Sequence, residues 1–378
     1  MGTTKPKKSK GAEPDLYRIL GQLFAVIFVF ATLGSSNLSA QFKEESVQKA
    51  YELRMNGEIW YARAMLNKLN DLGLKDGMAH YELARVKMAQ MLGGFDIQAD
   101  GIINSARQAV KADSGNVAFA YTEASARFGK AYMSIMQEAE SAKTHVDEAV
   151  MCFERVLELK PDYHEVRVLL VEIYHALPEN MGGNKEKAAA HAQRLKEMDS
   201  FFSAQAWEIM RPEETSRLEY WQQVWKENQE DMRVQKQLGL AYLADGDLEE
   251  AEPIFKKVMK SDPTCNTLML DIARHHMYQV MWDRSKAKVE LPLAEAAIRE
   301  YLSLEPEPIA PLKAWAIGNL AKFKYFSGEQ EEGDRLMAVA KALDPAFSKA
   351  SAVPGMELYI PPGEIYRSGE YSSFLRPF

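Results

Sequence analysis

Apolar side chains recur every three or four positions along most of the chain, and this spacing predicts amphipathic helices. The clearest stretch, residues 232–265, contains two such helices with a tight turn at Asp245-Gly246-Asp247 between them. Pro263 ends the second helix, because proline lacks an N–H donor and restricts the residue before it. The stretch is therefore predicted to be a helical hairpin.

Small and aromatic residues occupy defined places in this hairpin. Gly239 and Ala251 would let the two helix backbones approach closely, and Tyr242 and Phe255 would fill the space between them. Together with the glycine of the turn and the closing proline, the order Gly-x-x-Tyr-x-x-x-Gly-x-x-x-x-Ala-x-x-x-Phe resembles the tetratricopeptide repeat (TPR), a unit of about 34 residues. The resemblance implies a helix-turn-helix unit that buries its apolar face only against neighbouring repeats.

Other stretches keep parts of the same order, and about eight helix pairs fit residues 42–345. The repeat markers outside the first hairpin are Ala50, Leu53, Gly57, Ile59, Ala62, Leu66, Ala149, Phe153, Val156, Pro161, Ala188, Ala192, Leu195, Ala294, Ile298, Tyr301, Pro306, Leu320, Ala321, Gly328, Met337, Ala340 and Pro345. We therefore predict that residues 41–345 form one all-α solenoid of TPR-like pairs. The resemblance implies a right-handed superhelix whose concave groove is lined by the first helix of each pair.

Residues 1–40 have the organisation of a bacterial secretory signal peptide. A polar, basic start is followed by an uncharged apolar run at 23–33 and then by small residues up to Ala40. Cleavage after Ala40 would leave the mature chain in the periplasm or exported beyond it. An uncleaved inner-membrane anchor facing the periplasm is the alternative, although the apolar run would form a helix shorter than the hydrocarbon core. No cysteine follows the run to carry a lipid.

Residues 346–378 depart from the repeat pattern. Prolines and glycines between 354 and 363 rule out a regular helix, and the segment is rich in aromatic residues. Two interpretations stay open for this non-helical C-terminal tail. It could cover the exposed apolar face of the last repeats as a cap, or it could be an extended segment that docks on a partner.

Charge narrows the range of partners. The formal net charge is −8, whereas binding to a phosphate backbone needs clustered lysine and arginine, so we expect no nucleic acid partner. An acidic body would also be repelled by an anionic membrane surface. Membrane contact is therefore expected only through the N-terminal segment, if that segment is not removed.

Motifs for catalysis or metal binding are missing from the sequence. There is no Gly-x-Ser-x-Gly elbow, no phosphate-binding glycine loop and no His-Glu-x-x-His pair. Glu172 and His175 could share a helix face, but a di-iron site needs a second such pair. Cys152 and Cys265 lack zinc-site spacing and are expected to be unpaired thiols. We predict a protein that is not an enzyme and that has no cofactor and no metal.

The groove positions implied by the TPR resemblance mix cations with apolar side chains. In the hairpin at 232–265 and in the last unit, these predicted partner-binding residues are Arg233, Lys236, Leu240, Leu243, Trp315, Lys322 and Tyr325. Such a surface suits an extended peptide that carries carboxylates. A solvated helix face is the alternative interpretation of the same residues.

Two functions from different classes follow. The first is a scaffold or adaptor of the bacterial cell envelope that holds a segment of a partner protein in the groove. The second is a small-ligand-binding periplasmic component, because residues 177–188 resemble a turn found in exported repeat proteins, some of them similar to TRAP-transporter-associated TPR subunits. Those relatives tend to be lipoproteins, and this chain lacks the lipid-bearing cysteine.

Overall fold

The computed structural model describes residues 36–74, 76–92 and 96–344, and the regular elements within these ranges are all helical. Sixteen α-helices follow one another in these ranges. They are α1 (Ser36–Met55), α2 (Ile59–Asp71), α3 (Gly77–Leu92), α4 (Ala99–Ala112), α5 (Val117–Met136), α6 (Ala142–Leu159), α7 (His164–Ala176), α8 (Lys185–Lys196), α9 (Ser200–Ile209), α10 (Arg217–Glu227), α11 (Met232–Asp245), α12 (Leu248–Ser261), α13 (Leu268–Trp282), α14 (Ala287–Tyr301), α15 (Ala310–Phe326) and α16 (Gln330–Leu343). Short 3-10 turns lie at Glu179–Met181, Pro263–Thr267 and Arg284–Lys286.

Consecutive helices pack in pairs, which confirms the predicted all-α fold of about eight helix pairs. The closest pairs are α5 with α6, α13 with α14, and α15 with α16. One pair departs from the pattern, because α9 packs mainly on α7 and α8 whereas α10 packs on α11. The helices α9 and α10 therefore make few contacts with each other, and we call them the open hairpin. Helix α9 packs on the preceding pair and α10 on the following one.

The hairpin of α11 and α12 forms as the sequence predicts. The Asp231 carboxylate caps α11 by accepting the N–H of Arg233 at 2.8 Å. Gly246 ends the helix with a φ of +91°, a conformation that side-chain-bearing residues rarely adopt. Asp247 then caps α12, so capping side chains and one glycine fix both sides of the turn.

From α5 to α15, buried apolar side chains form a core that continues from hairpin to hairpin, whereas α1 to α5 contain three smaller clusters. The largest cluster runs from Ala120 to Ala241, and a second runs from Leu243 to Phe323. Tyr242 packs against both clusters. A packed core thus passes from one unit to the next, as a repeat array requires.

The predicted leader and tail fall largely outside the described ranges. Residues 1–35 and 345–378 are not described, and α1 begins at Ser36, so it includes the predicted cleavage position at Ala40. Signal peptide, membrane anchor and C-terminal cap stay predictions. Within the described ranges, no helix has both the length and the apolar character needed to cross a membrane.

Candidate partner-binding groove

Arg233, at the start of α11, lies in a network of carboxylates and aromatic rings. Its guanidinium group contacts Asp199 at 3.0 Å and Asp231 at 2.7 Å, and its Cζ lies 4.8 Å from the centroid of the Phe201 ring. Burial alone would raise the pKa of Asp231, but the hydrogen bonds and charge of Arg233 outweigh burial and hold this pKa below its usual range. Arg233 thus connects the starts of α9 and α11, and its charge is already balanced.

Lys236 lies one turn further along α11 and is only 6% exposed. Its Nζ is 4.0 Å from the Cys265 Sγ, which belongs to the 3-10 turn that follows α12. Its charge also acts on Asp271 of α13, whose carboxylate lies 3.4 Å from Arg274. Burial raises the pKa of Asp271 in spite of these cations. Lys236 is therefore part of the interior of the array.

A second buried ion pair continues this network towards α9 and α10. Arg217 Nε lies 2.8 Å from Glu208 Oε1, and Arg217 Nη2 donates to Gln237 Oε1 at 3.1 Å. The inner polar cluster consists of Glu208, Arg217, Lys236, Gln237, Asp271 and Arg274. Its side chains contact one another between helices and most of them are buried, so this cluster fixes the helices in place and offers few groups to a partner.

The apolar members of the predicted groove belong mostly to the core. Trp315 is fully buried and Leu243 is 8% exposed, and both lie in the C-terminal core cluster. Leu240 is half-buried and packs against the same cluster. A partner could reach Leu240, but Trp315 and Leu243 would remain covered in this conformation.

Lys322 differs from the other predicted cations because no carboxylate pairs with it within the described ranges. Its Nζ donates to the Asn319 side-chain oxygen at 3.3 Å, and the Asn319 amide in turn donates to the carbonyl of Trp315 at 2.9 Å. Burial lowers the pKa of Lys322. The ammonium group is therefore partly stripped of water without gaining a counter-charge.

Tyr325 and Phe326, at the end of α15, point to different surroundings. The Tyr325 hydroxyl donates to Asp334 at 2.9 Å, and its ring covers Gly333, so Tyr325 packs on α16. Phe326 is 59% exposed. It lies four residues after Lys322, which places both on one helix face. Lys322 is half-buried and Phe326 is exposed, and we call these two residues the α15 patch.

The groove residues that the sequence reasoning missed are of two kinds. Other hairpins supply Asp199 and Phe201 as contacts of Arg233, and Asp271 as the carboxylate on which Lys236 acts; no local pattern marks these residues. Phe326 could have been placed beside Lys322 from the sequence, because it follows Lys322 by one helical turn at the end of a first helix. An apolar residue at that spacing is usually core, and only its exposure distinguishes it.

The side chains of this site offer no evident reaction chemistry. Burial, followed by the charge of Glu123, raises the pKa of the Cys152 thiol to about 11, so it is a poor nucleophile at neutral pH. Both cysteines are free thiols. Among the residues described, no three His, Cys, Asp or Glu side chains are arranged to hold a metal ion.

Comparison with known proteins supports the repeat assignment. Residues 237–265 match the family described as tetratricopeptide repeat, and they contain the Gly239, Tyr242, Ala251 and Phe255 positions that carry the resemblance. The fold of the described residues is an all-α array of TPR-like helix pairs. Residues 96–206 match a second family, described as TRAP transporter T-component. No curated protein sequence matches the chain.

Two solved structures are among those to which the chain is similar. The C-terminal part of a TPR repeat-containing protein from Cytophaga hutchinsonii is 14% identical, has a TM-score of 0.28, and is matched over 79% of this chain and 95% of that chain. A human IFIT1 dimer with PPP-AAAA is also 14% identical, with a TM-score of 0.36 and coverage of 87% and 75%. No conclusion about ligands follows from either likeness.

Proposed function

We propose that this protein is a non-enzymatic scaffold of the bacterial cell envelope and that it holds an acidic segment of a partner protein on the first helices of its C-terminal half. The observation that carries the proposal is the α15 patch. There, a partly desolvated ammonium group without a carboxylate partner among the described residues lies one turn from an exposed phenylalanine.

The chemistry of the α15 patch indicates what would bind there. A carboxylate from a partner would supply the counter-charge that Lys322 lacks, and hydrogen bonds to charged groups contribute about 1.5–3 kcal/mol. Phe326 would contribute a large apolar contact beside that pair, and aromatic residues are frequent at the energetic centre of interfaces. An acidic segment with a neighbouring apolar side chain fits both groups.

Position-specific crosslinking in cells tests the proposal. A photoreactive phenylalanine analogue in place of Phe326 keeps an aromatic ring at the patch, and the same analogue in place of Val339 on α16 is the matched control, since Val339 is 38% exposed. We expect capture of one protein from position 326 and little capture from position 339. Equal capture from both positions would mean that the partner does not bind at the α15 patch.

Once the captured segment is identified, the contribution of the Lys322 charge to its binding can be tested. Binding of a peptide with that sequence is measured for the unaltered chain, for Lys322→Glu, and for Lys341→Glu, which makes the same change of charge on the exposed side of α16. We expect Lys322→Glu to weaken binding by at least about tenfold, the equivalent of 1.4 kcal/mol. Lys341→Glu should change it by less than about twofold. Lys236 is unsuitable for this test, because a reversed charge there would be buried beside Asp271.

A second candidate function rests on a separate observation. The match of residues 96–206 to the TRAP transporter T-component family favours association with a transporter of that type, as a small-ligand-binding periplasmic component. Tyr132 lies in this stretch and is 43% exposed. The photoreactive analogue in place of Tyr132 should then capture a transporter protein, whereas the scaffold proposal expects the capture at position 326.

A further inference from the structure

A polar cavity of about 340 Å³ lies between the second helix of the first pair and the two helices of the second pair. It is lined by Asn67 and Asn70 of α2, by His80, Leu83 and Lys87 of α3, and by Asn104, Ser105 and Gln108 of α4. Its volume is at the lower end of the range for small-molecule sites, about 300–1,000 Å³. It shares no residue with the α15 patch.

Helical spacing brings these side chains together. On α2, Arg63, Asn67 and Asn70 lie four and three residues apart, so they occupy one face. On α4, Asn104 and Gln108 are also four apart. These polar faces meet over α3, where Lys87 Nζ donates to the Gly101 carbonyl at 3.0 Å and to Ser105 Oγ at 2.8 Å. Three separate helices thus turn polar residues towards the same space.

Unused hydrogen-bonding capacity is concentrated in the cavity. Within the described ranges, the side-chain amides of Asn67, Asn70, Asn104 and Gln108 form no hydrogen bond with other protein groups. Each amide carries two N–H donors and one carbonyl acceptor. Leu83 is the single apolar side chain in the lining. The cavity therefore suits a hydrophilic ligand.

The charge of the cavity is positive and unbalanced. Burial lowers the pKa of Lys87, and the nearby charge of Arg63 lowers it further. Arg63 Nη1 donates to the neutral side chain of Gln90 at 2.9 Å. Among the described residues, neither cation has a carboxylate partner, and no carboxylate lines the cavity. The neighbouring cations Lys43 and Lys130 are paired with Asp76 and Asp100.

Lys87 in the lining and Arg63 outside it act on each other, and two such cations without a carboxylate partner are unexpected in a chain with 54 acidic and 46 basic residues. Mutual repulsion and partial desolvation both disfavour the arrangement, and an anion bound beside Lys87 in the cavity would offset both effects. Arginine and lysine both bind carboxylates and phosphates through charge-assisted hydrogen bonds. The surrounding amides would then contact the rest of such a ligand.

We propose that the cavity between α2, α3 and α4 binds a small organic anion. Its carboxylate or phosphate group lies near Lys87, the one Lys or Arg in the lining, and its hydroxyl or carbonyl groups form hydrogen bonds with the amides of Asn67, Asn70, Asn104 and Gln108. The proposal does not rest on partner binding at the α15 patch. It also involves residues on α2 and α3 that lie outside the stretch matched to the T-component family.

Titration calorimetry on the full chain tests this site with defined probes. Malate and glucuronate represent carboxylates, glycerol phosphate represents phosphate esters, and glucose, glycerol and inorganic phosphate are the comparison compounds. We expect at least one organic anion to bind about tenfold or more tightly than all three comparison compounds. The better of the two anion classes identifies the charged group of the ligand.

Three variants locate the binding. Lys87→Gln removes a cation, and Asn104→Asp places a carboxylate in the lining at an exposed position where folding should be retained. Both should weaken binding of the preferred probe by at least about tenfold. Lys111→Gln is the control, because it lowers the net charge by the same amount as Asn104→Asp at an exposed position of the same helix, outside the cavity. It should change affinity by less than about twofold.

Three outcomes would overturn the proposal. The first is that no organic anion binds more tightly than glucose and glycerol. The second is that inorganic phosphate binds as tightly as every organic anion. The third is that Asn104→Asp, shown by circular dichroism to be folded, binds the preferred probe as the unaltered chain does. Crosslinking at position 326 should be the same in Asn104→Asp, so failure here and failure of the scaffold proposal can be told apart.

Discussion

At the scale of single residues, Glu165 of α7 is a buried carboxyl group whose pKa is strongly raised. The residue is 5% exposed. Burial raises the pKa of its carboxyl group to about 8, and the charges of Asp162 and Asp199 act in the same direction. Lys160 lowers the pKa but does not outweigh burial. Glu165 is therefore mostly protonated in the folded chain at neutral pH.

The shift makes stability depend on pH with a definite sign. Between the ordinary pKa of 4.5 and the raised value of about 8, the folded chain binds a proton at Glu165 that the unfolded chain does not bind. The free energy of unfolding therefore falls as pH rises through this window. Glu165→Gln mimics the protonated form. It should match the unaltered chain near pH 4.5 and exceed its stability near pH 9 by about 5 kcal/mol, since each unit of pKa shift corresponds to about 1.4 kcal/mol.

Urea unfolding at several pH values measures this difference. Taking the difference between variant and unaltered chain cancels the titration of groups common to both. Glu158→Gln is the control, because Glu158 has an exposed side chain in a surface ion pair with Arg155, and its effect should stay within about 0.5 kcal/mol. A difference for Glu165→Gln that does not change with pH would contradict the raised pKa.

At the scale of helices, two glycines in helix interiors have opposite surroundings. A Cβ on Gly239 would lie 2.7 Å from Phe255 Cε1, whereas a Cβ on Gly129 would meet no other atom within contact distance. Gly239→Ala should therefore push α11 away from α12 and destabilise the chain by about 1–3 kcal/mol. Gly129→Ala should stabilise it by about 0.5–1 kcal/mol, because alanine has the higher helix propensity.

Thermal and urea unfolding of the two alanine variants checks this pair, each variant serving as the control for the other. Because the chemical change is identical, only the surroundings can separate the results. If Gly239→Ala were as stable as Gly129→Ala, close approach of α11 and α12 would not be what the glycine provides. The TPR-like role of that position would then be wrong.

Helix pairs could be predicted from the sequence because their determinants are local. Periodicity, the turn at Gly246 and the stop at Pro263 all lie within one unit, and the structure follows them. The groove was harder to predict. Lys236 occupies a position that lines the groove in this repeat type, yet the turn containing Cys265 covers it. Arg233 meets Asp199 from 34 residues away. Contacts between units depend on how hairpins stack, and short-range spacing does not encode that.

The cavity between α2, α3 and α4 also could not be predicted from sequence spacing. Its polar faces could be read from each helix separately, but an exposed polar face is the usual condition of a surface helix. Only their convergence over Lys87, together with the missing carboxylates, distinguishes them. The placement of charges relative to one another is a property of the packed array.

At the scale of the whole molecule, Trp221 links α9 and α10, the two helices of the open hairpin. It is fully buried on α10, and its ring lies 6.3 Å from that of Phe201 on α9. Because α9 and α10 form an open hairpin, Trp221 and its neighbours take the place of a normal helix pair in carrying the core onwards to α11. A repeat array is coupled through contacts between neighbouring units, so this link should be important for its cooperativity.

Trp221→Ala tests that coupling. Loss of a buried tryptophan should lower the free energy of unfolding by about 3–5 kcal/mol. Since coupling passes between neighbours, hydrogen exchange should accelerate in α7 to α11 and remain slow in α15 and α16. Trp282→Ala is the control, because Trp282 is 85% exposed and its removal should change stability by less than about 0.5 kcal/mol. Equal acceleration in every helix of the Trp221 variant would instead mean that the array unfolds as one unit. The open hairpin would then be as tightly coupled as the regular ones.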